Sequence, residues 1–218
     1  MARRLSDIWL SAVALAVLSP LLVLAALGIK LFSRGPVLYR AARAGRYGRP
    51  FTMYKFRTMH AEPMAGARAI TAQHDPRVFG FGAWLRRLKI DELPQLINIL
   101  KGDMSFVGPR PEDPRIVAHH YTPAQLETLA VLPGLASPGS LYNYTHGEKL
   151  LAAADPERQY VEQLLPLKLA LDAVYVRETS WRYDLRIVGR TVLTIARIAL
   201  GQREFPDPPE MEKVVGGR

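Results

Sequence analysis

The chain has 218 residues, a formal net charge of +9 and no cysteine, and its pI is about 10.0. That length accommodates one domain with a sizeable core, with or without a membrane segment. Without cysteine there are no disulfides and no thiolate metal sites, and the basic balance calls for an acidic partner: nucleic acid, anionic lipid head groups or a phosphorylated small molecule.

The first thirty-five positions, MARRLSDIWLSAVALAVLSPLLVLAALGIKLFSRG, carry the loudest signal. No charged residue falls between Ile8 and Ile29, a run long enough to cross a bilayer once. Ser19-Pro20 interrupts it. Proline removes a backbone hydrogen bond and clashes with the preceding turn, so a bend is expected there, with the Ser19 hydroxyl serving a carbonyl the bend frees. Arg3 and Arg4 precede the run, and Lys30, Arg34, Arg40, Arg43, Arg46 and Arg49 follow it. A spanning helix keeps its basic excess on one side, so these flanks suit a helix-break-helix over residues 1–35 that enters one leaflet and returns. A proline-kinked span fits the hydropathy equally well. A cleaved signal peptide fits less well, because the run exceeds an h-region and no small-x-small site follows.

Pro36 to Met59 predicts two short strands around a basic turn holding Gly45 and Gly48. Ala61 to Pro76 reads as a loop and Gly82 to Leu88 as a short helix. In IDELPQLINILKGDMSFVGPRP, Leu93, Leu96, Ile97 and Leu100 form one helical face, closed by Lys101 and Gly102. Pro94 belongs in a first helical turn, which puts Asp91 and Glu92 at or just before the helix N-terminus, where the macrodipole and free N–H groups favour negative charge. Ala124 to Leu132 reads as a modest helix and Leu135 to Gly147 as an aromatic loop. Two longer helices follow, near 156–177 and 183–200. In the second, Leu185, Val188, Val192, Ile195 and Ala199 keep helical spacing while Arg186, Arg190 and Arg197 take other faces, so it suits either an anionic membrane surface or a core. The catalytic domain is expected over 36–203 and a disordered tail over 204–218.

Acidic residues before a helix are ordinary capping. Here, however, Lys55, Arg57, Arg86, Arg87 and Arg110 lie on short elements around the pair, and Pro109 and Pro111 stiffen the chain on either side of Arg110. Cations beside a carboxylate favour its ionised form, as a nucleophile or metal ligand requires. Asp172 and Asp184 read as helix-surface or capping groups, and His60, His74, His119 and His120 lack metal-ligand spacing.

SPLLVLAALGIK, YKFRTM, IDELPQLINILKGDMSFVGPRP and YVRETSWRYDLRIVGRT together resemble the bacterial sugar transferase family, the monotopic phosphoglycosyl transferases, in their small form. The resemblance runs from about Leu5 to Leu200. It implies transfer of a phospho-sugar from a nucleotide diphosphate sugar, usually UDP-linked, to a polyprenol phosphate such as undecaprenyl phosphate at the cytoplasmic face of the bacterial inner membrane. UMP is released, in the first membrane step of exopolysaccharide, O-antigen, capsule or glycoprotein assembly. It further implies Asp91 as the nucleophile, Glu92 (with Asp91) as a Mg²⁺ ligand, Lys55, Arg57, Arg86 and Arg110 facing phosphates within the Pro109–Pro111 frame, and Ser19-Pro20 as the break of a re-entrant helix. The expected fold is α+β and mostly helical, with that re-entrant helix, a small β-hairpin and amphipathic membrane-surface helices.

One departure stands out. Members commonly follow the Pro-Arg-Pro block with Pro-Gly-Ile-Thr-Gly-Trp-Ala-Gln-Val-Asn-Gly-Arg, where this chain reads LPGLASPGSLYNYTHGEKL. Tyr142, Tyr144 and His146 are therefore candidates for donor contacts, or simply packed aromatics. The rival reading is a non-enzymatic, membrane-anchored scaffold whose basic face binds anionic lipid. A nucleic-acid partner is set aside, because no recognition motif accompanies the charge.

Overall fold

A computed structural model describes residues 2–60, 75–150 and 156–216. The architecture is α+β and mostly helical, and its first element, α1 (Ala2–Phe32), is one helix of 31 residues, about 46 Å long at 1.5 Å per residue. The helix runs on through Ser19-Pro20 as one element. Pro20 has no N–H to give the Ala16 carbonyl, and the Ser19 hydroxyl donates to that carbonyl instead, at 2.8 Å, the contact expected from the sequence.

The hairpin forms as expected: β1 (Leu38–Ala44) pairs antiparallel with β2 (Pro50–Phe56), Leu38 opposite Phe56 and Ala44 opposite Pro50. Its turn needs backbone that few residues adopt, with Tyr47 at φ 56° and Gly48 at φ 72°. Then come α2 (Gly80–Arg87), a 3-10 turn over Ile90–Glu92, and α3 (Gln95–Lys101), which Gly102 stops at φ 95°. Residues 61–74, most of the expected loop, and His74 with them, lie outside the described residues.

One stripe of α1 faces the rest of the molecule along its whole length. Asp7, Ser11, Ala25 and Ile29 are buried; Leu15 and Leu18 pack on Ala41, Met53, Leu96, Ile99 and Met104. Ala25 and Ile29 join Phe56, Phe79, Leu85 and Ile90. Both ends are tied to the same body. At the start, Arg4 donates to the Ile99 and Leu100 carbonyls at 2.5 and 2.7 Å, serving the open C-terminal end of α3. At the finish, Arg57 clamps Ser33. The opposite stripe, including Trp9, Val13, Val17, Leu24, Leu27 and Leu31, is exposed. By length and composition Arg3–Phe32 could cross a membrane.

Beyond the hairpin, β3 (Ser105–Val107) runs parallel to β4 (Gly134–Ala136). Between them lie the Pro-Arg-Pro segment, α4 (Pro114–His120) and a 3-10 turn at Gln125–Ala130. The expected loop over 135–147 is instead β4 and a helix, α5 (Pro138–Leu150). Pro138 at its start is compatible with a first helical turn, and the glycines after it did not prevent helix formation. A short α6 (Pro156–Gln159) and a π turn (Tyr160–Leu164) lead into α7 (Leu165–Glu178), then α8 (Trp181–Ala199), capped by Ser180 Oγ accepting from the Tyr183 N–H. Ile187 alone turns α8 fully inward, while Leu185 and Val192 are exposed. Of the stripe expected to choose between core and surface, Leu185, Val188 and Val192 are exposed and Ile195 and Ala199 half-buried.

The tail is not disordered through residue 216. It forms α9 (Glu210–Gly216), because Glu210 is buried against Arg190 at 2.6 and 3.0 Å and accepts from the Tyr183 hydroxyl at 2.8 Å. Met211 and Val214 pack on the α7 core.

Candidate active site

Lys89 takes the left-handed conformation, φ 57°, and this reversal between α2 and the 3-10 turn swings Asp91 and Glu92 inward instead of leaving them on a helix surface. Both are buried, at 7% and 6% exposure. Glu92 is the hub. Arg110 grips it with two nitrogens, Nη2 to Oε1 at 2.5 Å and Nη1 to Oε2 at 3.0 Å, while Lys55 Nζ reaches Oε1 at 3.2 Å. The Tyr144 hydroxyl donates to Oε2 at 3.2 Å and accepts from Arg110 Nη1 at 3.2 Å. Lys89 Nζ sits 3.8 Å from the centre of the Tyr144 ring, a cation–π contact.

The two carboxyls are driven in opposite directions. Burial works to raise Glu92, but Arg110, then Lys55 and Lys89, outweigh it and hold Glu92 well below the usual carboxylate range. Asp91 is raised: burial dominates and the Glu92 charge adds to it, against Lys55, Lys89 and Arg86. Burial also pulls the Lys89 ammonium down. Asp91 Oδ1 and both side-chain heteroatoms of Gln95, one helical turn on, are buried polar atoms with no hydrogen-bond partner among the described residues. Unpaired polar groups in such a place are costly. Of the two carboxylates only Asp91 keeps an oxygen for a ligand, because both Glu92 oxygens are taken by Arg110, Lys55 and Tyr144. Among the described residues no three metal-ligating side chains gather, so the protein by itself offers no closed cage.

Of the residues singled out from sequence, Asp91, Glu92, Lys55, Arg110 and Tyr144 come together, with Pro109 and Pro111 flanking Arg110. Arg86 lies close enough to bear on Asp91 and binds Thr58 Oγ1 through Nε at 2.7 Å. Arg87 points away, to the Ala199 carbonyl at 2.9 Å. Tyr142 and His146 stack on one another, ring centres 4.6 Å apart, with Tyr142 in the α7 core and His146 beside Asp207. Neither contacts the carboxylates. Lys89 and Gln95 were not singled out, although Lys89 ends the same basic run as Arg86 and Arg87.

Arg57 is not part of the cluster. It is 6% exposed and donates to the Pro36, Met59 and Ser33 carbonyls and the Ser33 hydroxyl at 2.6 to 3.0 Å. Its fork closes the turn after α1 and leaves little for a phosphate. Arg57→Met is therefore expected to cost about 3 kcal/mol through buried carbonyls left without donors, seen as a lower midpoint in denaturant, while turnover per folded molecule stays within a few-fold.

The model of the family described as bacterial sugar transferase matches residues 1–198. The chain belongs to the bacterial sugar transferase family. The chain is 39% identical over 210 residues to an undecaprenyl-phosphate glucose phosphotransferase of Komagataeibacter xylinus, covering 93% of this chain and 37% of that protein. It is 38% identical over 195 residues to a UDP-glucose:undecaprenyl-phosphate glucose-1-phosphate transferase of Caulobacter vibrioides (87% and 68%). A UDP-N-acetylgalactosamine-undecaprenyl-phosphate N-acetylgalactosaminephosphotransferase of Aeromonas hydrophila is 35% identical over 195 residues (88% and 43%). The chain thus spans little more than a third of the first relative's length and about two thirds of the second's.

Proposed function

We propose that this transferase moves a phospho-sugar from a UDP-sugar to a polyprenol phosphate in two displacements at one phosphorus. The observation that carries the reading is the division of labour in the dyad: Glu92 saturated by fixed cations, Asp91 buried beside it with an unbonded oxygen. A carboxylate oxygen of Asp91 attacks the phosphorus that bears the sugar. The bond from that phosphorus to the bridging oxygen breaks, and UMP leaves with the electron pair. The acyl phosphate so formed is attacked by a phosphate oxygen of the polyprenol phosphate, which restores the Asp91 carboxylate and yields the polyprenyl-diphosphate sugar. Lys55, Lys89, Arg86 and Arg110 counter the charge on the phosphoryl oxygens, and the fixed Glu92–Arg110 pair needs no reorganisation to do so. Mg²⁺, if held by Asp91 together with the substrate's phosphates, would supply further charge neutralisation there, since the Glu92 oxygens are already taken by Arg110, Lys55 and Tyr144.

The lipid acceptor calls for a membrane-surface location. The exposed apolar stripe of α1, with both ends of that helix fastened to one body, suits a monotopic seat on one face of the bilayer, and the outward apolar stripe of α8 with its arginines suits the same surface. The proposed location is the cytoplasmic face of the inner membrane. A non-enzymatic lipid-binding scaffold explains those stripes but not a buried dyad with its own cation shell.

Detergent-solubilised protein supplied with Mg²⁺, polyprenol phosphate and each of a series of UDP-sugars is expected to release UMP; release of UDP would mean ordinary glycosyl transfer and would refute the reading. Asp91 attacks only when ionised and its pKa is raised, so UMP release should climb with pH along a limb lying above the usual carboxylate value of 3.8. A rate still undiminished at that pH would contradict the assignment.

A further inference from the structure

The Pro-Arg-Pro segment ends on a buried ionic cluster that the reaction as written does not use. Glu112 follows Pro111 directly, and its Oε1 accepts from Lys168 Nζ, near the start of α7, at 2.6 Å. Lys168 is 3% exposed and also donates to the Tyr160 hydroxyl at 2.6 Å. That hydroxyl donates in turn to Glu112 Oε1. Tyr160 opens the π turn ahead of α7 and is itself buried. The three groups thus close a ring of charge-assisted hydrogen bonds. Burial works to raise Glu112, but the Lys168 ammonium and the Tyr160 hydroxyl hold it below the usual carboxylate range. A buried ion pair of this kind is commonly no more stabilising than apolar residues of the same volume, so stability by itself does not account for it. The main chain of Glu112 is tied as well: its carbonyl accepts from the Ala44 N–H, at the end of β1, at 2.9 Å.

We propose that Glu112 is a positioning residue: anchored by Lys168 and Tyr160, it fixes one end of the Pro-Arg-Pro segment so that the Arg110 fork meets Glu92 with both nitrogens. The other end is held by the β3–β4 pair, through the Gly108 N–H to the Ala136 carbonyl and the Gly134 N–H to the Pro109 carbonyl, both at 2.9 Å. Between the two ties lie only Arg110 and Pro111. Proline locks φ at 109 and 111, and a residue that precedes proline is held to extended backbone. Few torsions are left free, so the two anchors set where the Arg110 side chain starts. Its guanidinium then lies 2.5 and 3.0 Å from the two Glu92 oxygens. Such a fork-to-carboxylate grip depends on both N–H groups staying in line, and a shift of the segment breaks one of the two bonds first. In this way α7, which touches neither carboxylate of the dyad through Lys168, governs the cation that saturates Glu92.

This inference rests on the proposed reaction, and its test separates the two. Glu112→Gln combined with Lys168→Met removes the ionic anchor without leaving a buried charge unpaired, so the melting transition should stay cooperative. The double variant is expected to lower kcat for UMP release about 10- to 100-fold, the scale of a small misplacement of a fixed group, with KM for the UDP-sugar and for polyprenol phosphate unchanged. Made in Arg110→Lys, the same two changes should cost about threefold or less, because the fork they misplace is already gone. Tyr160→Phe, which removes one bond of the ring, is the milder variant and should show a several-fold loss with the same split between kcat and KM. Deuterium uptake should rise at the Ala44 amide and in peptides covering 108–114 of the double variant, whereas the wild-type Ala44 amide should exchange as slowly as a core amide. Unchanged kcat would overturn the proposal, as would a loss of full size in the Arg110→Lys background or fast exchange of the wild-type Ala44 amide. Should the wild type release no UMP, the reaction falls, and the exchange measurements still decide whether the cluster holds the segment.

Discussion

Asp91→Asn should eliminate UMP release, a loss of about four orders of magnitude or more, the scale seen when a covalent nucleophile is removed. The change is nearly isosteric, so the fold should survive. It also removes a buried carboxyl that burial makes costly to ionise, and thermal stability in micelles should hold or rise. The direct readout is the intact mass of the protein after exposure to UDP-sugar and Mg²⁺ without acceptor. Wild type should gain one phospho-sugar and Asp91→Asn none. An adduct that persists in the variant would move the nucleophile elsewhere, with Glu92 the next oxygen to test. Glu92 is a poor substitute on physical grounds, since its lone pairs are already committed to Arg110, Lys55 and Tyr144.

Arg110→Met should be the most damaging cation replacement for both stability and activity. It leaves Glu92 buried without its two-nitrogen partner, and breaking a buried pair from one side costs about 3–5 kcal/mol. Lys55 remains at 3.2 Å and softens the loss. Because the folded pKa of Glu92 is depressed, the stabilisation it brings is present above the unfolded value and lost as pH falls through the folded value. The gap between wild type and Arg110→Met should therefore be widest near neutral pH and narrow in acid; a gap of constant size would mean Arg110 stabilises by packing alone. Arg110→Lys keeps charge but not the planar fork and should recover only a fraction of turnover. Glu92→Gln with Arg110→Met should regain most of the stability and none of the activity, separating the structural role of the pair from its chemical one.

Much of the fold was legible because it is written in neighbouring residues. The hairpin follows from alternating strands around Gly45 and Gly48, the stop of α3 from Lys101-Gly102, and the place of Asp91-Glu92 from Pro94. The apolar run of α1 is a matter of composition. Local rules erred where a longer-range partner changed the outcome. Arg57, one residue past β2 and one among several cations, was drawn to the carbonyls of Ser33, Pro36 and Met59. Glu210 found Arg190 and gave the tail a reason to fold.

What the sequence by itself determined was the family, the apolar helix, the hairpin and a carboxylate pair standing at a helix start with arginine in a proline frame. Each is a short-range pattern, in which spacing of a few residues dictates which groups are near one another. What only the tertiary structure decided was which charges meet: Lys89 and Tyr144 at Glu92, Arg57 elsewhere, and Asp172 buried against the first turn of α5. Partners 18 and 52 positions apart, as Arg110 and Tyr144 are from Glu92, leave no periodic trace in the chain. Their meeting depends on how α5 and α7 pack across the β3–β4 pair, and that packing is settled by burial of apolar area shared among many residues rather than by any local signal.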